Sequence, residues 1–288
     1  MLKILVTGSN GQLGSQLRKI STSFRDCDFL FTDLPELDIT SEIRVDRALS
    51  EYKPDWLINC AGYTAVDKAE TDQDAVQKLN ADAPALLSKL SAKYDTRLIH
   101  ISTDYVFDGR NYRPYTEDHV KNPEGIYARS KALGEELVIA NNPEAIIIRT
   151  SWLYSVYGNN FMKTVLRLAK EKGTMRIVSD QVGTPTWTGD LALAIMTMVE
   201  KNTNPGIYHF SNEGVCSWFD FAKAIVELQD IRCSIEPINT KDYPLPAPRP
   251  FYSVLDKSLF KATTGLTVPH WRDSLKHCLK QFNEQGRT

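Results

Sequence analysis

Short runs of aliphatic and β-branched residues alternate along this chain with longer stretches in which apolar residues recur every three or four positions. Unbroken apolar runs suit strands buried on both faces, and the longer spacing suits amphipathic helices. The pattern predicts strands over residues 2–7, 29–32, 55–59, 97–102, 145–149 and 207–210. It predicts helices from Leu13 through Leu17 to Ile20 and over residues 40–52, 74–94, 123–141, 191–199, 218–228 and 271–282, with a kink or restart at Pro84. Strands alternating with helices imply an α/β fold built on a doubly wound parallel sheet. Past Thr150 the texture changes: Trp152, Tyr154, Tyr157, Asn159, Asn160 and Phe161 crowd together, a short strand is expected before Asp180, and Pro237, Pro244, Pro246, Pro248 and Pro250 break the tail. The expected division is a sheet domain over 1–150 with a returning segment at about 187–212, and a smaller C-terminal lobe over 151–186 and 213–288.

Small and polar residues gather where the predicted strands end, and ligands of open α/β sheets bind at those ends. Gly8, Gly11 and Gly14 follow the first strand and open the first helix, which suits a tight turn and close approach of a pyrophosphate to backbone N–H groups. Asp33 closes the second strand, where a carboxylate accepts a ribose 2′-hydroxyl and repels a 2′-phosphate; alternatively it only opens the turn to Pro35. Ser9 offers no cation to offset that repulsion, so NADH is favoured over NADPH. Ala61, Gly62, Tyr63 and Thr64 follow the third strand, small enough at the start for a dinucleotide to lie across, although a plain turn wants the same residues. Thr103 and Asp104 follow the fourth strand.

Tyr127 and Lys131 stand four apart in the predicted 123–141 helix and so share one face. A free phenol titrates near ~10, and a fixed cation favours the phenolate, so the pair suits proton exchange with a carbonyl oxygen. Such a pair is also common as a half-buried ring and a solvated amine.

Composition narrows the field. At 288 residues and 42% hydrophobic the chain can bury a sizeable core, and a net charge of −2 with scattered Lys and Arg gives no nucleic-acid surface. Five dispersed cysteines without a CxxC imply reduced thiols in a cytoplasmic protein. The five histidines show no ligand spacing, so no zinc is expected, and no apolar run approaches the roughly 20 residues of a membrane span.

Together these residues resemble the extended short-chain dehydrogenase/reductase superfamily, and within it the dTDP-4-dehydrorhamnose reductases. The resemblance rests on residues 8–14, 65–70, 102–109, 127–131, 149–152, 158–161, 180–186 and 249–250, in the family's order across nearly the whole chain. It implies a Rossmann-like fold and reduction of the 4-keto group of dTDP-4-dehydro-β-L-rhamnose to dTDP-L-rhamnose with NADH or NADPH. It further implies Tyr127 as proton donor, Lys131 lowering the phenol and holding the nicotinamide ribose, and Thr103 bonding the keto oxygen. Asp104 and Trp152 match sugar-nucleotide contacts; Asn10, Gly11, Gln12, Leu13, Asp33, Asp38, Ile39, Gly62, Tyr63 and Thr64 match cofactor positions. Some family members dimerise around a magnesium ion held by acidic residues. Gln16 offers no carboxylate in the first helix, so no metal is expected here, and a homodimer stays an open alternative.

Two rival readings fit the same residues. Sugar-nucleotide dehydratases of the superfamily place Asp-Glu after the catalytic Thr, whereas Asp104-Tyr105 stands here; epimerases, like dehydratases, recycle their cofactor. A non-catalytic nucleotide-binding subunit would keep the fold without turnover.

Overall fold

A computed structural model describes residues 1–285. A six-stranded parallel sheet forms its centre, from β1 (Leu2–Thr7), β2 (Cys27–Thr32), β3 (Trp56–Asn59), β4 (Arg97–Thr103), β5 (Ile146–Thr150) and a last strand at Gly206–His209. The order is β2-β1-β3-β4-β5 and then Gly206–His209, so the winding reverses between β1 and β3. Alternate residues of each strand face opposite sides. Leu5, Leu57, Leu98 and Ile147 pack under Val45, Leu49, Leu87, Leu90 and Val138 on one face. Ile4, Val6, Ile58, Ile99, Ile146 and Ile148 pack under Leu13, Leu17, Leu191 and Ile195 on the other. Both faces are covered, which is why the strands read as unbroken apolar runs.

A second core joins Tyr154, Met162, Val165, Leu166, Met175, Phe221, Ile225, Leu275 and Leu279. Phe260 and Val268, which the sequence assigns to the lobe, pack instead in the sheet's core. Among the described residues no helix is long and apolar enough to cross a membrane.

Several predicted elements need correction. The 74–94 helix is interrupted: Gln73–Gln77 passes into a wider π-helical turn at Lys78–Asp82, and an α-helix restarts as Ala83–Lys93 with Pro84 in its first turn, as the expected restart there requires. The helix carrying Tyr127 spans Ile126–Asn141; Gly125, at φ 84, stops it from starting earlier. The Phe161–Lys172 helix was not predicted, although Met162, Val165, Leu166 and Ala169 recur at helical spacing and lie buried. The neighbouring aromatic residues and asparagines masked that period.

Candidate active site

The site forms where the sheet reverses direction, at the carboxyl ends of β1 and β3. Gly8 has φ 66, and a Cβ there would lie 2.5 Å from the Ala61 nitrogen; a Cβ on Gly14 would lie 2.4 Å from the Gly8 carbonyl oxygen. Glycine is therefore required at both positions, by the turn and by the close approach of neighbouring backbone. Gly11 begins the Gln12–Ser21 helix without a side-chain cap, so its first N–H groups are open to an anion. Asp33 Oδ2 accepts from the Asn10 N–H at 2.8 Å and Oδ1 from the Leu34 N–H at 2.9 Å, and a carboxylate keeps further lone pairs for a hydroxyl. This close glycine turn, with the uncapped helix start after it and a carboxylate beside it, fits a nicotinamide dinucleotide.

The other predicted cofactor positions are less uniform. Asn10 and Gly11 are exposed and Gln12 half-buried, while Leu13 is buried in the core against the sheet. Asp38 spends Oδ1 on the Thr40 N–H and hydroxyl, which hold its carboxyl below the usual range. Ile39 packs its side chain in the core and leaves only backbone to a ligand. Ala61 donates to Asn59 Oδ1 at 3.1 Å, and Gly62 and Thr64 are exposed. Tyr63 donates its N–H to Asn80 Oδ1 at 2.8 Å and its hydroxyl to Asp72 at 3.0 Å.

Thr103 ends β4, and its side chain acts on the Tyr127 phenol, lowering it against burial. Its hydroxyl donates to Asp104 Oδ1 at 3.0 Å, and Asp104 is buried. Burial raises Asp104 to about 6 and Tyr127 to about 12. Lys131 is also buried, one turn beyond Tyr127, and burial lowers it to about 8, opposed by Glu135. Its Nζ donates to the Ile101 carbonyl at 2.6 Å and lies 3.4 Å from His100 Nε2. The expected lowering of the phenol by Lys131 is thus not produced by this arrangement. The amine is turned back towards β4, and loss of hydration governs the phenol.

Two residues that sequence reasoning missed hold this geometry. Asn80, in the π-helical turn and fully buried, accepts from Tyr63 and donates to the Tyr63 carbonyl and the Ser130 hydroxyl at 3.0 and 3.1 Å. It clamps the loop after β3 to the helix carrying Tyr127. His100 Nδ1 accepts from the Asn59 amide nitrogen at 3.0 Å, and Asn59 Oδ1 accepts from Thr7 and Ala61. Neither lies in a recognisable motif; a polar residue inside an apolar strand was the available signal for His100. Gly134 makes the clamp tight, since a Cβ there would fall 2.1 Å from the Asn80 carbonyl oxygen. Gly134→Ala is expected to destabilise the fold by about 1–3 kcal/mol, because the obstructing atom is backbone. Thermal unfolding checks this, and an unchanged midpoint would show that the helix shifts freely.

Trp152 has φ 46 and stacks on Trp218 with ring centroids 3.6 Å apart. Beside Trp218 a cleft of about 820 Å³ opens in the smaller lobe, lined by Phe161, Met175, Arg176, Tyr243 and Arg249 among others. Arg249 donates to Asp67 at 2.8 Å and so ties the proline-rich tail across to the loop after β3.

Comparison with known proteins gives a consistent result. The sequence matches the RmlD substrate binding domain family over residues 2–284. It is 38% identical to a dTDP-4-dehydrorhamnose reductase of Aggregatibacter actinomycetemcomitans, covering 96% of this chain and 98% of that one. The fold is similar to the crystal structure of a dTDP-4-dehydrorhamnose reductase from Clostridium acetobutylicum, at TM-score 0.94 and 41% identity over 98% of this chain and all (100%) of that chain. It is equally similar, at TM-score 0.94 and 37% identity over 98% and 100% of the two chains, to the dTDP-4-dehydrorhamnose reductase of Bacillus anthracis in complex with NADP.

Proposed function

This chain belongs to the RmlD substrate binding domain family, and from that premise we propose that it reduces the 4-keto group of dTDP-4-dehydro-β-L-rhamnose, giving dTDP-L-rhamnose, with Tyr127 as proton donor. The observation that carries the proton assignment is the edge-on contact of the Tyr127 ring with Tyr105 at 5.6 Å, which sets the phenol against the Thr103–Tyr105 segment at the end of β4.

A bound nicotinamide supplies the hydride; the remaining work falls to the chain. Tyr127, raised to about 12, is fully protonated at neutral pH and can give its proton to the oxygen that becomes an alkoxide. Thr103 bonds the same oxygen and fixes where it sits. Lys131, buried one turn beyond Tyr127 on the same helix, opposes the charge left on the phenolate and would hold the ribose hydroxyls of a bound cofactor. Asp104 accepts a sugar hydroxyl with its Oδ2, which has no hydrogen bond of 3.5 Å or less. In the lobe cleft, Arg176 and Arg249 suit the diphosphate, and Trp218 and Tyr243 offer faces to the base. Tyr105 stands where an eliminating enzyme would carry its second carboxylate, which favours reduction over dehydration.

The test is stoichiometric oxidation of NADH or NADPH by purified protein in the presence of the keto sugar nucleotide. A dehydratase, an epimerase or a binding subunit would consume no net cofactor, and that result would overturn the proposal. The same assay run across pH carries a prediction. Lys131, lowered to about 8, stabilises the phenolate only while protonated, so kcat is expected to fall as pH rises through about 8. A kcat flat to pH 10 or so, near the ordinary lysine value, would remove Lys131 from that role.

A further inference from the structure

Arg18 belongs to none of the motifs above, yet it is fastened beside the cofactor turn. It projects from the second turn of the Gln12–Ser21 helix, its guanidinium carbon 4.5 Å from the Phe31 ring centroid, and donates to the Ser9 hydroxyl at 2.9 Å. Ser9 follows Gly8, and its N–H donates to the Thr32 carbonyl at 3.1 Å, immediately before Asp33. The guanidinium therefore sits at the corner where the glycine turn meets the end of β2. In folds of this type that corner holds the adenosine ribose. Among the described residues no carboxylate forms an ion pair with Arg18.

We propose that Arg18 is the residue that receives the 2′-phosphate when NADPH rather than NADH occupies this site. The inference rests on the reading of the glycine turn as a dinucleotide site. Position 9 carries only a hydroxyl, which from sequence alone disfavours the phosphate. The structure shows that the missing cation reaches that hydroxyl from the helix. A guanidinium keeps its charge at any physiological pH and presents a fork matched to phosphate oxygens. The Phe31 ring and the Ser9 bond hold that fork in place before the ligand arrives, which reduces the ordering cost of binding. Asp33 still serves the free 2′-hydroxyl of NADH, and Arg18 offsets its repulsion when a phosphate takes that place.

The test compares ligands that differ only in the 2′-phosphate: adenosine 2′,5′-bisphosphate against adenosine 5′-monophosphate by calorimetry, and NADPH against NADH by fluorescence titration. Wild-type protein, Arg18→Ala and Arg18→Lys are each titrated. Arg18→Ala is expected to weaken the bisphosphate and NADPH about ten- to a hundredfold, and to change the monophosphate and NADH by no more than about twofold. Arg18→Lys is expected to keep part of the difference, because the charge remains and the fork is lost. Equal weakening of all four ligands would reduce Arg18 to a prop for Phe31, and no weakening at all would likewise overturn the proposal. Wild-type protein that binds no bisphosphate overturns it too. Wild-type protein that binds NADPH through Arg18 but reduces no keto sugar leaves this inference standing and removes the function proposed above.

Discussion

Tyr127→Phe is expected to lower kcat for keto-sugar reduction by about a hundred- to ten-thousandfold, the range a positioned general acid contributes. Dinucleotide affinity is expected to stay within about threefold, because the substitution removes one oxygen and keeps the ring. The Tyr127 ring meets Tyr105 edge-on at 5.6 Å, a contact phenylalanine preserves. The lost hydroxyl is the group on which the Thr103 side chain acts, where the keto oxygen is proposed to sit. Burial favours the neutral phenol, so reduction begins with the proton already on the donor, and the difficult species is the phenolate left behind. That is the reason a buried amine one turn away matters even though it faces β4 before any ligand binds. Steady-state turnover and a fluorescence titration of the reduced cofactor separate the two quantities. Turnover within threefold of wild type would take the phenol out of the chemistry.

The parallel sheet was legible because strands covered on both faces must be apolar at consecutive positions, as residues 4–6 and 146–148 are. The glycine turn was legible for the same kind of reason: Gly8 and Gly14 stand where a Cβ would strike backbone. What stayed hidden was set by contacts between elements far apart in sequence. Asn80 reads as one polar residue in a helical stretch, and only the π-helical turn aims it at Tyr63 and Ser130. Arg18 reads as a solvent-facing helical cation, and only the fold carries it to Ser9. Thus the motif positions were readable and the partners that orient them were not. Ile39 shows that a matched position need not offer its side chain, since that side chain lies in the core and only backbone is left to a ligand.

The orientation of Lys131 depends in turn on a buried ion pair behind it. Glu135, one turn further along the same helix, accepts two bonds from Arg149 of β5 at 2.9 and 2.8 Å and one from the Ser102 hydroxyl of β4 at 2.6 Å. Glu135 and Arg149 are each 1% exposed, and Lys121 Nζ adds a looser contact at 3.7 Å. A helix thus bolted to two strands cannot slide, which fixes Tyr127 relative to Thr103.

Glu135→Ala is accordingly expected to destabilise the protein by about 3–5 kcal/mol, because it leaves the Arg149 guanidinium buried without a counter-ion. Urea unfolding measures this directly, and the thermal midpoint should fall by on the order of 10 °C. His209, 3.3 Å from Arg149, does not take over the charge balance, since burial and the guanidinium keep it neutral, its pKa lowered to about 3. The double variant Glu135→Leu with Arg149→Met should recover much of the loss, since an apolar pair of similar volume needs no counter-ion. A milder substitution, Glu135→Gln, reads out on chemistry. Glu135 is the charge that holds the Lys131 ammonium up against burial. Without it Lys131 must lose its proton at lower pH, so the alkaline fall in kcat moves below about 8. A loss of stability under about 1 kcal/mol in Glu135→Ala, with the pH profile of Glu135→Gln unmoved, would mean that neither the charge balance nor the tuning of Lys131 runs through this pair.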